Sequence, residues 1–294
     1  MTEAINDINK QPITVLCITL NEAHNLNDFF DNVCNWAQRV VVLDSFSADK
    51  TVDICLKRNV EVYQRKFTGF GDQWNFIVEH FSDETPWIIK LDPDERLTDQ
   101  LKLQIEKNIS KNEFDAFELR RRLFFMGSEL PIEQNILRIW KSGYCRFSDV
   151  LVNEYPIVDG KCKLLDGTLR HVDSPNLDHW LSKQNRYTTA EAITKKQGLP
   201  LSEAPLFWGT PLQRRMWLKK YFYKVPGRYL IMYLYLVMSY RLWRCGKVGF
   251  IWAFCRVLVL RLVDYKHFEM GIKPYTHTNT YSIGYPDRRV KQFN

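Results

Sequence analysis

No G-x-G-x-x-G follows the first apolar run of this chain, and no Walker-type lysine loop occurs in it. Those absences argue against a dinucleotide dehydrogenase and against a P-loop NTPase. The seven cysteines (Cys17, Cys34, Cys55, Cys145, Cys162, Cys245 and Cys255) include no C-x-x-C pair and no Cys/His cluster. An odd, dispersed set predicts reduced thiols in a cytoplasmic setting, not a disulfide framework or a zinc site. The opening MTEAINDINKQ is polar and carries acids, so no secretory signal is expected. Long apolar runs are missing too. Between Trp217 and Trp243 the longest charge-free stretch is Tyr229 to Tyr240, 12 residues, well short of the roughly 20 that a membrane-spanning helix needs.

What is present is a chain of 294 residues with 14% aromatics, enough for one large domain and an appendage. Its net charge of +7 is unevenly spread. From Leu206 onward 16 Lys and Arg face 3 Asp and Glu, a balance of +13, whereas the preceding residues hold 25 basic and 31 acidic groups, a balance of −6. A mildly acidic body with a strongly basic tail signals a partner for the tail.

The first 110 residues alternate apolar runs with amphipathic stretches. Ile13 to Leu20, Arg39 to Asp44, Val60 to Tyr63 and Trp87 to Leu91 read as strands, several of them β-branched and buried on both faces. Leu26, Phe29, Phe30, Val33 and Ala37 mark one helix face, and Phe70, Trp74, Ile77, Val78 and Phe81 another. Asp49 is a candidate N-cap for the helix running toward Arg58. This order predicts a doubly wound, mostly parallel sheet. Three strand ends carry acids or amides: Asn21-Glu22, Asp44 and Asp92-Pro93-Asp94-Glu95. Open α/β sheets bind ligands outside those ends. Carboxylates packed so closely repel one another unless something positive sits among them, and a divalent cation on a substrate's phosphates is a natural partner.

Four motifs occur in register: I-T-x-N-E (Ile18–Glu22), D-S-x-S-x-D-x-T (Asp44–Thr51), G-F-G-x-Q-x-N (Gly69–Asn75) and D-x-D-E (Asp92–Glu95). Together they resemble glycosyltransferase family 2, the inverting nucleotide-diphospho-sugar transferases of the A-type fold, and most of all its lipopolysaccharide-core and surface-polysaccharide group. The resemblance implies that Thr19, Asn21 and Glu22 line a nucleoside pocket, that Asp44 faces a uracil, and that Asp92 lies near the ribose. It gives Asp94 a Mg²⁺ or Mn²⁺ that bridges the diphosphate, with His171 a further ligand. Gln73 is assigned to the nucleotide sugar, with Asn75 beside it, though capping serves both as well. Asn153-Glu154 matches the place of the catalytic base, and Glu154 is assigned that role; Glu129 and Glu133 are spare carboxylates nearby. Arg186, in an N-R-Y match, is assigned to the diphosphate or to an anionic acceptor. Arg120, Arg121 and Arg122 read as a solvated face or a set of ion pairs, with one arginine able to approach a phosphate.

Residues 1–205 are expected to form the catalytic domain and 206–294 a basic, aromatic-rich region of amphipathic helices. Trp217 to Trp243 holds nine aromatics in 27 residues, interleaved with lysine and arginine, as in helices lying at a membrane interface. The expected partners are a nucleotide-sugar donor, a lipid-linked glycan or lipopolysaccharide-core acceptor, and the cytoplasmic face of the inner membrane as a peripheral site; nucleic acid is not expected. A helical subdomain, a dimer interface and a re-entrant hairpin remain alternatives for the tail. Gln213 to Trp217 approaches Q-x-x-R-W but has Met216 at the arginine position, which favours single addition over processive synthesis. Tyr275 to Asn294 reads as a polar, partly disordered end. The rival functions are a nucleotidyltransferase and a nucleotide-binding scaffold without activity.

Overall fold

The computed structural model describes residues 10–148, 155–172, 174–197, 204–222, 225–272 and 283–293. They form two compact units, one of Met1–Leu123, Glu133–Val172 and Tyr281–Asn294, the other of Phe124–Ile132 and Asp173–Thr280.

The first unit follows the alternation in the sequence. β1 (Gln11–Thr19), α1 (Ala23–Val33), β2 (Ala37–Asp44), α2 (Thr51–Lys57), β3 (Glu61–Arg65), α3 (Phe70–Phe81), β4 (Trp87–Lys90), β5 (Glu95–Leu97) and α4 (Asp99–Lys111) come in order. β6 (Ala116–Phe125), β7 (Ser128–Lys141), β8 (Cys145–Phe147), β9 (Pro156–Val158) and β10 (Cys162–Val172) follow. The main sheet has nine strands, ordered β11-β3-β2-β1-β4-β7-β6-β10-β5, where β11 is Lys291–Phe293. β11, β3, β2, β1 and β4 run parallel, β7 is antiparallel to β4, and β5 is antiparallel to β10. The strand order turns at β1, with β2 on one side and β4 on the other. A crevice at such a switch point is where this architecture binds ligands.

Period-two alternation sorts the core onto two faces. Ile13, Val15 and Cys17 of β1 join Phe29, Phe30, Cys55 and Leu101 on one face. Leu16, Val41 and Leu43 join Trp74, Ile77 and Phe81 of α3 on the other. Lys90 belongs to the α3 face, buried with its ammonium 4.1 Å from the Trp74 ring centroid and 5.0 Å from that of Phe147. Thr98 caps α4 by accepting from Leu101 N, while Asn112 closes it in a left-handed turn at φ 53°.

The chain's end departs from expectation. Residues 291–293 add a strand alongside β3, pairing Lys291 with Tyr63 and Phe293 with Arg65. Val290 is buried in the core, and Phe293 packs against Tyr63, Phe76 and Phe81. A three-residue strand carries no readable period, and apolar neighbours from β3 and α3 decide its place.

The second unit is helical: α5 (Leu177–Gln197), α6 (Pro211–Tyr221), α7 (Arg228–Ser239) and α8 (Gly246–Ile272), with a 3-10 turn at Leu242–Cys245. A capping box of Thr210 and Gln213 starts α6. Asp264 of α8 accepts from Lys195 Nζ at 2.9 Å, from Tyr229 Oη at 2.9 Å and from Arg228, so one carboxylate ties α8 to α5 and α7. Lys266 Nζ lies 2.6–2.8 Å from Asn185 O, Asn185 Oδ1, Thr188 Oγ1 and Thr189 Oγ1, which share its three N–H donors. Helix α5, grouped with the catalytic region on sequence grounds, thus belongs to this unit. Polar groups of α5 are met by α8, a partner 69–81 positions away that no local pattern announces. Among the described residues no helix is long and apolar enough to cross a membrane.

Candidate functional site

The turn after β2 is built on Asp44. Its side chain is fully buried and accepts four hydrogen bonds. Thr19 Oγ1 donates at 3.0 Å and Ser47 Oγ also donates to Oδ1; Ser47 N and Gln64 Nε2 each donate to Oδ2 at 2.9 Å. That fills the acceptor sites of an ionised carboxylate. Asp44 therefore holds the loop that follows β2 through its own hydrogen bonds.

Asn21 adopts a left-handed conformation, φ 59°, which asparagine tolerates well. Its N–H donates to Ser47 Oγ at 2.7 Å, and its Oδ1 accepts from Ala48 N at 2.8 Å. Glu22 N donates to Thr51 Oγ1 at 2.9 Å, while Glu22 Oε2 accepts from Asn25 Nδ2 at 2.8 Å. Asp49 serves two helix starts at once, accepting Thr51 N at 2.9 Å and Ala23 N at 3.1 Å. The loops after β1 and β2 thus form one hydrogen-bonded shelf. Gln73, fully buried, extends it: Nε2 donates to Ser45 Oγ at 3.2 Å and Oε1 accepts Arg65 Nη1 at 2.8 Å. Asn75 instead clamps Phe147, donating to its carbonyl at 3.0 Å and accepting its N–H at 2.7 Å.

β4 delivers the acidic turn beside this shelf. Glu95 has no exposed surface. Its Oε1 accepts Arg138 Nη2 at 2.7 Å and Arg121 Nη1 at 3.4 Å, and its Oε2 accepts Asp92 N at 3.1 Å. The same Arg138 nitrogen donates to Asp92 Oδ2 at 2.9 Å. Asp92 keeps 32% of its side chain exposed. Burial pushes its carboxyl up, but the charges of Arg138, Lys90 and Arg121 outweigh this and leave it below the usual aspartate value. Arg96 fastens the turn to α1, donating to Pro93 O at 2.6 Å and Asn25 O at 2.8 Å.

β10 pairs with β5 so that His171 stands opposite Glu95, and Val172 N donates to Asp94 O at 2.8 Å. Through this pairing His171 Nε2 lies 3.2 Å from Asp94 Oδ2. Among the described residues no cluster of three or more His, Cys, Asp or Glu side chains is placed to hold a metal ion. The carboxylate–imidazole pair is nevertheless a donor set that suits a divalent cation completed by substrate oxygens.

Of the other candidates, Glu154 lies outside the described residues. Arg186 is carried by α5 in the second unit. Glu133 pairs with Arg120 at 3.7 Å and with Arg122, and Glu129 belongs to the second unit. Sequence reasoning missed Arg138, Gln64 and Arg96. Arg138 sits inside the apolar run ILRIW, and nothing local marks it as the partner of two acids. Burial pushes the Cys55 and Cys145 thiols up to about 12, so neither is a thiolate nucleophile near neutral pH.

A mostly parallel sheet whose switch-point edge carries this shelf and acidic turn is the architecture expected of an A-type glycosyltransferase. The profile of Glycosyl transferase family 2 matches residues 14–166, more than half of the chain, and the chain belongs to that family. It is similar to the lipopolysaccharide core biosynthesis glycosyltransferase LpsC of Rhizobium meliloti, 27% identical over 258 residues, 84% of this chain and 88% of LpsC. An uncharacterised glycosyltransferase of Rickettsia prowazekii is 24% identical over 65% of this chain and 70% of its own. Among solved structures, S. aureus TarS 1–349 in complex with UDP-GlcNAc aligns with a TM-score of 0.44 at 12% identity, covering 87% of this chain and 88% of that one.

Proposed function

We propose that this transferase is inverting and metal-assisted, and that it moves a sugar from a UDP-sugar to a membrane-borne glycan or glycolipid in bacterial surface-polysaccharide or lipopolysaccharide biosynthesis. The observation that carries the reading is the Asp94–His171 pair on the acidic turn after β4, beside the strand end that bears the Thr19–Asp44 shelf. A Mg²⁺ or Mn²⁺ held by Asp94 and His171 would supply the positive charge that stabilises a departing nucleoside diphosphate. Arg138 fixes Asp92 and Glu95, so the acidic turn keeps its shape as charge changes beside it. Thr19, Asn21, Glu22 and Gln73 keep the nucleoside shelf ordered, with Asp44 beneath. Glu154 takes the proton of the acceptor hydroxyl. The acceptor's hydroxyl oxygen attacks the anomeric carbon from the face opposite the diphosphate, whose bond to that carbon breaks.

Similarity to LpsC along most of its length supports an acceptor of the lipopolysaccharide type. A peripheral site on the cytoplasmic face of the inner membrane is supported by α7, which exposes Leu230, Ile231, Leu234, Tyr235 and Met238 on one stripe, within a segment of net charge +13. Apolar side chains flanked by lysine and arginine suit an anionic lipid interface. The deciding experiment is calorimetry of UDP with and without Mn²⁺ on wild type and Asp94→Ala. Metal-dependent binding lost in Asp94→Ala is expected; metal-independent binding that survives the substitution would remove Asp94 from the reading.

A further inference from the structure

The last described segment crosses the same sheet edge as the nucleoside shelf. Ile283 forms an antiparallel bridge with Ser47, and Gly284 N donates to Phe46 O at 2.7 Å. The approach is so close that a Cβ on Gly284 would stand 2.5 Å from Ser47 O, so a larger residue there displaces the segment. Asp287 N then donates to Gln64 Oε1 at 2.7 Å. Gln64 is fully buried, and its opposite end donates from Nε2 to Asp44 Oδ2 at 2.9 Å. A backbone N–H can only donate, so Asp287 dictates which end of the Gln64 amide is oxygen and which end reaches Asp44. One line of hydrogen bonds therefore runs from the chain's last segment to the carboxylate beneath the shelf. Arg289 anchors the segment to Asp53 at 2.7 Å, and β11 anchors it to β3.

Between these anchors Tyr285 is 92% exposed, an aromatic ring with no packing role at the rim of the shelf. Asp44 is fully buried, with its acceptor sites filled from within. A base resting on the 45–48 loop is thus bordered by that loop and by residues 283–287. We propose that residues 283–287 form the outer wall of the donor's nucleoside pocket. Tyr285 supplies a ring face for the base, and Gln64 is the positioning residue that registers the wall against Asp44. This rests on the nucleotide-sugar reading above.

The test uses the full chain with UDP and Mn²⁺. Hydrogen exchange of amides in 283–290 is expected to slow when UDP binds. Tyr285→Ala is expected to weaken UDP binding about tenfold, the scale of losing one ring–base contact, with an unchanged Tm, and Tyr285→Phe to bind as wild type. Gln64→Met is expected to change the ratio of UDP to CDP affinities, which a loss of stability alone leaves constant. If wild type binds UDP while 283–290 gains no protection and Tyr285→Ala binds as tightly, the wall is overturned and the nucleotide site stands. An unchanged UDP to CDP ratio in Gln64→Met removes Gln64 from its role. If wild type binds no nucleoside diphosphate, the wall and the reading beneath it fall together.

Discussion

His171 Nε2 stands 3.2 Å from Asp94 Oδ2 although 77 residues separate the two in the chain. Antiparallel pairing of β10 with β5 brings them together, so the histidine is fixed by backbone register and not by a flexible loop. If the pair shares a cation, His171→Ala should weaken metal-supported UDP binding about 10–100-fold, the usual cost of disturbing a metal's surroundings, and leave metal-free binding unchanged. Calorimetry across a Mn²⁺ series measures this; equal losses with and without metal would assign His171 a structural role instead.

Arg138 is the counter-charge for the buried Glu95. Arg138→Ala leaves that carboxylate with the longer Arg121 contact as counter-charge and the Asp92 N–H, and is expected to destabilise the protein by about 3–5 kcal/mol, the cost of breaking a buried pair from one side. Glu95→Gln combined with Arg138→Met should cost less than Arg138→Ala alone, because the fully buried Glu95 charge is then removed together with its partner. Urea unfolding of the three proteins decides the order.

The lowered pKa of Asp92 gives its pairing with Arg138 a defined pH window. A depressed folded-state pKa contributes stability that is fully present above the unfolded value of about 3.9. It is lost as pH falls through the folded value. Wild type should therefore exceed Asp92→Asn in Tm near neutral pH, and the gap should close in acid below pH 4. A gap that stays constant across that range would show that charge is not what Asp92 contributes.

Glu154→Gln should lower sugar transfer by about 10²–10⁴-fold, the range for loss of a general base, while UDP affinity holds. Steady-state transfer assays beside calorimetry separate the two. Turnover within a few-fold of wild type would pass the role to another carboxylate, with Glu129 the next to substitute.

The exposed stripe on α7 offers a direct test of membrane association. Replacing Leu230, Leu234 and Met238 with serine alters side chains that are at least half exposed, so the fold should survive. Co-sedimentation with vesicles rich in anionic lipid should fall at least tenfold, with residual binding that is salt-sensitive. Undiminished sedimentation would turn attention to a helical subdomain or a dimer interface.

Sequence alone determined the alternation of β1 through β4, the acidic strand ends and the family, because buried parallel strands and amphipathic helices write their periods into local residues. It also placed Thr19, Asn21, Asp44 and Asp94 at one edge, since parallel strands in a doubly wound order must end there. Only the tertiary structure decided which partners those residues meet. Arg138 reaches Asp92 from β7, 46 residues away, and Gln64 takes its orientation from Asp287, 223 residues away. A charge inside an apolar strand and a glutamine in a short one look ordinary locally. Their roles arise from pairing across the sheet, where the need to satisfy buried polar groups outweighs any preference written in neighbouring residues. The end of the chain makes the same point. Residues 290–293 lack a pattern of their own, and the uncovered edge of β3 with the aromatic cluster behind it makes them a strand.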